Sequence, residues 1–70
     1  MQVADVTMTD RDDGSRQRVS ISEGDCRCER IARANGISNQ EVITRLLGGE
    51  QLQTAGFVYT PSRIAQRKAP

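Results

Sequence analysis

The chain has 70 residues, a formal net charge of +1, two cysteines, no histidine and only two aromatic residues, Phe57 and Tyr59. Such a chain makes one domain near the lower size limit for folding alone, with a core that must come from Val, Ile, Leu and Ala. It excludes a histidine-based catalytic centre, a zinc site closed by His and Cys within one chain, and the charge density of a strongly electrostatic binder.

Charge is nonetheless uneven. Residues 1–25 carry three Arg against six Asp and Glu, net −3, whereas residues 26–70 carry six Arg and one Lys against three Glu, net +4. No segment is apolar enough to cross a membrane, so no membrane partner is expected. Met1 to Gly14 has no apolar stretch flanked by basic residues. The expectation is a chain without a signal peptide, cytoplasmic when made, which either stays in the cytosol or leaves by assembly or lysis.

The first predicted element spans Gln2 to Thr9, where Val6 and Met8 alternate with Asp5, Thr7 and Thr9 at the period of a strand. Asp10-Arg11-Asp12-Asp13-Gly14-Ser15 is a turn-forming cluster, because Asp and Gly tolerate positive φ. From Arg16 to Ser22, Val19 and Ile21 fall on one face and Arg18, Ser20 and Ser22 on the other, which completes a hairpin.

Gly24-Asp25 closes the second strand, and Asp25 is placed to cap a helix. Cys28, Ile31 and Ala32 then form a narrow apolar stripe, with Arg27, Glu29, Arg30 and Arg33 on the wet side. Cys26 and Cys28 stand two residues apart, which on a helix turns their side chains about 200° from each other. That geometry disfavours a bridge between them. One core thiol and one exposed thiol is the simplest reading; an intermolecular disulfide or a shared metal is the alternative.

Gly36 stops the first helix in the left-handed position. Ser38-Asn39-Gln40-Glu41 is a capping box, and Val42, Ile43, Leu46 and Leu47 give the second helix a wide apolar face that ends at Gly48-Gly49. A short loop holds Leu52. Gly56 to Thr60 reads as a strand ended by Pro61, and Ser62 to Pro70 as a basic tail. The closing strand needs a partner, and an N-terminal strand is the candidate. The order is β-β-α-α-β: an α+β domain with two helices packed on a short antiparallel sheet.

Val19-Ser20-Ile21-Ser22-Glu23-Gly24-Asp25, Ile31-Ala32, Asn35-Gly36-Ile37-Ser38 and Leu52-Gln53 with Val58 and Pro61 together resemble a LysM domain. The resemblance covers residues 19–61, with Gly24-Asp25 to Ile31-Ala32 one residue longer than the family pattern. It implies a β-α-α-β unit with a two-stranded antiparallel sheet, preceded by an added strand and hairpin loop in 1–18 and followed by the tail in 62–70. It also implies a shallow groove for N-acetylglucosamine polymers such as peptidoglycan. One wall would be Gly24, Asp25, Cys26 and Arg27, and the other Gly49, Glu50, Gln51, Leu52 and Gln53. By the same resemblance the chain is a non-catalytic module that needs no cofactor. Its partner would be a glycan polymer or a neighbouring protein in an assembly, such as the tail or baseplate of a phage virion, and self-association is open to it.

A second reading uses residues 31–47. Ala32, Gly36, Ile37 and Val42 sit at helix-turn-helix offsets. The stretch also resembles the small helical N-terminal module of bacterial initiation factor two. Ser38, Asn39, Gln40, Thr44 and Arg45 would then face DNA, with Arg33, Arg45, Arg63, Arg67 and Lys68 on phosphates. Against it, Arg45 occupies an offset where an apolar residue is expected. No residue pattern points to catalysis: Cys26 and Cys28 have no base nearby in the sequence.

Overall fold

A computed structural model describes residues 2–62. The elements in chain order are β1 (Val3–Asp10), β2 (Arg16–Ser22), α1 (Cys26–Asn35), α2 (Asn39–Leu47), β3 (Leu52–Gln53) and β4 (Phe57–Pro61). They form a small α+β domain, a four-stranded sheet in the order β2-β1-β4-β3 with every neighbouring pair antiparallel. Beyond Ser62, the basic tail lies outside the described residues.

The local signals act as the side chains require. Gly14, with φ of 77°, closes the β1–β2 loop by donating its N–H to the Asp10 carbonyl at 2.9 Å. Asp25 caps α1, its carboxylate accepting from the Arg27 N–H at 2.8 Å. Gly36 ends α1 in the left-handed region at φ 67°, and Ser38 caps α2 by accepting from the Glu41 N–H at 3.1 Å. The Glu41 carboxylate turns outward to Arg45 Nε at 3.0 Å.

One face of the sheet is covered. Ala4, Val6, Ile21, Leu52 and Tyr59 meet Cys28, Ile31 and Ala32 of α1 and Val42, Ile43 and Leu46 of α2 in a single core. The opposite face carries Asp5, Thr7, Thr9, Arg16, Arg18, Ser20, Val58 and Thr60, and among the described residues no helix lies on it.

Two expectations change. Leu52 and Gln53 are a strand rather than loop, pairing with Tyr59 and Val58. Two residues are too few to show a period, and it is the pairing with β4 that defines them. The closing strand does take an N-terminal partner, β1, but β1 then lies inside the sheet, with β2 on its other side. Within residues 19–61 the first and last strands, β2 and β4, therefore do not pair with each other, and the direct pairing there is the short β3–β4 ladder. β2 and β4, each antiparallel to β1, run parallel to one another with β1 between them.

Candidate functional site

The groove walls implied by the LysM resemblance are placed as follows. Gly24 to Arg27 lie at the N-terminal end of α1, where Asp25 holds both the Arg27 N–H and its guanidinium, the latter at 3.3 Å. Gln53 lies at the other end of the same helix, its carbonyl accepting from Asn35 Nδ2 at 3.1 Å. The ten residues of α1 rise about 15 Å, so these parts of the two walls stand a helix length apart. Between them, Gly49 donates to the Leu46 carbonyl at 3.0 Å, Glu50 pairs with Arg45 at 3.3 Å, Gln51 is exposed and Leu52 is buried in the core. Cys26 is exposed and Cys28 buried, as one wet and one core thiol. Burial, with help from the charges of Asp25 and Glu23, pushes the Cys28 thiol above its ordinary value.

The second-helix residues are no more concentrated. Ser38 is engaged as a cap, and Asn39 donates Nδ2 to the Glu23 carbonyl at 3.1 Å. Gln40 and Thr44 are exposed. Arg45 is held between Glu41 and Glu50, the Glu41 hydrogen bond and the Glu50 charge keeping its guanidinium above its usual value. Arg33 is paired with Glu29 at 3.0 Å. Three of the four helix arginines, Arg27, Arg33 and Arg45, thus face carboxylates, which lowers the potential a phosphate would meet, while Arg30 is exposed without an ion pair among the described residues. Arg63, Arg67 and Lys68 lie outside the described residues.

A different region stands open. Backbone hydrogen bonds alternate along an antiparallel strand, so each residue turns its N–H and C=O to one neighbour or the other. Ser62 N–H donates to the Asp5 carbonyl at 2.9 Å and Arg11 N–H to the Gly56 carbonyl at 3.0 Å. Odd-numbered residues of β1 therefore face β4. Asp10 N–H donates to the Ser15 carbonyl at 2.8 Å, so even-numbered residues face β2. Carried through the register, Gln17, Val19 and Ile21 spend their backbone groups on Met8, Val6 and Ala4. Arg16, Arg18, Ser20 and Ser22 point theirs away from the sheet. Among the described residues only the Ser22 carbonyl of these groups has another partner, the Asp25 N–H at 3.1 Å.

The two arginines above that edge are also unspent. Among the described residues Arg16 and Arg18 make no ion pair, unlike Arg27, Arg33 and Arg45. Ser20 Oγ donates to Asp5 Oδ1 at 2.7 Å. Asp5, Val6, Arg18, Val19 and Ser20 line an open concavity of about 240 Å³ on the uncovered face. On the covered face Val19 is half-buried. Sequence reasoning placed these residues on a strand but not at an edge. The signal it held was the absence of Pro and Gly from 16–22, which leaves the whole strand free to pair.

No protein-family model, no curated protein and no solved structure matches the chain.

Proposed function

We propose that this chain is a non-catalytic binding and assembly module that joins a neighbouring protein by strand addition along β2. The carrying observation is the row of outward N–H and C=O groups along β2, open at Arg16, Arg18 and Ser20 and at the Ser22 N–H, with no strand beside them among the described residues. An extended segment laid on such an edge gains main-chain hydrogen bonds, and alternate side chains set the specificity. Arg16 and Arg18 favour a segment with acidic or hydroxyl residues opposite them. A place in a larger particle, including a virion as the LysM resemblance implies, suits a domain of this size that offers a strand edge.

The glycan and DNA readings make other predictions. A LysM-type groove needs Gly24–Arg27 and Gly49–Gln53 to converge on one sugar, and DNA reading by α2 needs Arg45 released from Glu41 and Glu50. Selecting random peptides against the full chain, then mapping the amide shifts by NMR, separates the three. Strand addition gives extended peptides that shift Arg16, Arg18, Ser20 and Ser22 and lose binding to Ser20→Pro. Shifts at Asp25 and Gln51 on adding an N-acetylglucosamine oligomer, or at Gln40 and Thr44 on adding duplex DNA, with β2 silent, overturn it.

A further inference from the structure

We infer that the segment β2 accepts is β2 of a second copy, forming a two-fold dimer whose sheet runs β3-β4-β1-β2 and on through the same strands of the partner in reverse. This rests on the strand-addition reading and adds the partner and the register.

The register follows from three independent constraints. The first is hydrogen bonding. Only residues with outward backbone groups can form bonded pairs, so Arg16, Arg18, Ser20 and Ser22 must face one another across the axis. Antiparallel pairing of Arg18 with Ser20 of the second copy, and of Arg16 with Ser22, satisfies this over the length of β2, with the Ser22 carbonyl shared between the partner and its own Asp25 N–H. The axis then passes through Val19, which meets its own copy as a non-bonded pair.

The second constraint is charge. Sliding the pairing one way puts Arg18 against Arg18 of the other copy, a like-charge pair on one face, which is unfavourable. Sliding it the other way leaves Arg16 beyond the paired region. In the full-length register each arginine faces a serine. Past Ser20 of the other copy stands that copy's Asp5, two strand spacings or about 10 Å from Arg18 between backbones. An arginine and an aspartate can bridge that span above a serine. Ser20 Oγ occupies Asp5 Oδ1 and leaves Oδ2 to accept the guanidinium. The concavity lined by Asp5, Arg18 and Ser20 is the space the incoming arginine would enter.

The third constraint is apolar contact. Val19 lies half-buried on the helix side, at the margin of the core. Non-bonded antiparallel pairs bring side chains closest, so two Val19 side chains at the axis cover each other. Hydrogen bonds, the Arg18–Asp5 pair and the valine contact all select one register. The arginines also discourage the others, as edge charges do in sheets that avoid indiscriminate pairing. The contact is isologous and closes at two copies.

The test is sedimentation equilibrium of the full chain over a dilution series, with five variants. Wild type should move reversibly between monomer and dimer. Ser20→Pro deletes an outward N–H, together with the exposed Oγ bond to Asp5 that Ser20→Ala removes alone, and should weaken the dimer by at least about tenfold relative to Ser20→Ala, because the loss is counted once per copy. Arg18→Asp and Asp5→Arg should each weaken it, and the double variant should recover most of the loss. For register, Val19→Cys on a Cys26→Ser background should oxidise to a covalent dimer, since non-bonded pairs hold Cα atoms within disulfide range. Gln17→Cys on the same background should not. Circular dichroism of each variant confirms that the fold is kept. A wild-type chain monomeric at every concentration overturns the inference, as does a dimer indifferent to Ser20→Pro. If that monomer still takes selected peptides on β2, strand addition survives and only the self-partner falls.

Discussion

The two edges of this sheet are built differently. At one, β3 offers two residues, Leu52 is buried beneath α1, and the Gln53 carbonyl is capped by the Asn35 side chain. At the other, β2 offers seven residues, its outward N–H groups meet no protein group among the described residues, and Arg16 and Arg18 above it make no ion pair there. An exposed strand edge is a hazard that folded proteins cover, shorten or charge. Here one edge is shortened and covered while the other is left long and marked with two arginines. That asymmetry is what a domain needs if it is to add strands on one side only.

Breaking the ladder from within and from without should give the largest contrast. Val19→Pro removes an N–H that bonds to Val6 and should unfold a domain of this size, whose total stability is only several kcal/mol. Ser20→Pro, one residue away, loses an unbonded N–H and the exposed Oγ bond to Asp5 and should lower the unfolding midpoint of the monomer far less. Urea titration of the two variants reads this directly. Equal damage from both would mean that the outward amides are engaged within the monomer.

Next in size is the anchor of the covered edge. Leu52→Ala leaves a hole between Tyr59 and α1 and should cost about 2–5 kcal/mol. The same experiment at β2, Arg18→Ala, should move monomer stability by no more than about 0.5 kcal/mol. Thermal unfolding at low protein concentration distinguishes them.

Removing the cap on Gln53 is a smaller change. Asn35→Ala deletes bonds to the Ile31 and Gln53 carbonyls and should cost about 1 kcal/mol. It also makes the β3 edge resemble the β2 edge. Faster amide exchange around Thr54, without global unfolding, is the expected sign.

The smallest effect is alkaline and belongs to the covered side. The Cys28 thiol is held above its ordinary value by burial, so the unfolded chain loses that proton at lower pH than the folded one. Stability from this group is complete below the unfolded thiol value, about 8.5, and declines as pH rises toward the folded value. Cys28→Ala should remove that decline. Pairing along β2 does not involve Cys28, so this decline should leave the dimer constant of the folded chain unchanged.

Much of the architecture was legible because it is written in local chemistry. Asp25 and Ser38 cap helices through their own oxygens, Gly36 takes the one conformation that other residues resist, and alternation around Val6 and Val19 marks strands. These signals span a few residues and fix element identity. Strand order does not have that character. That β1 separates β2 from β4 depends on which strands share a layer of side chains, Val6 with Val19 and Pro61, across separations no periodicity spans. The same gap hid the candidate site. Arg16 and Arg18 look like ordinary solvent-facing residues of a hairpin until β1 is seen to have β4 on its far side, which leaves β2 at the rim.

Amide hydrogen exchange of the full chain, resolved by residue at low and at high protein concentration, bears most directly on the open edge. When dilute, Arg18 and Ser20 should exchange rapidly while Val19 and Ile21 exchange slowly. When concentrated, Arg18 and Ser20 should become protected and the other two should not change. Slow exchange at Arg18 and Ser20 in the dilute monomer, or rapid exchange there at every concentration, would contradict an edge that is free to pair and pairs with its own copy.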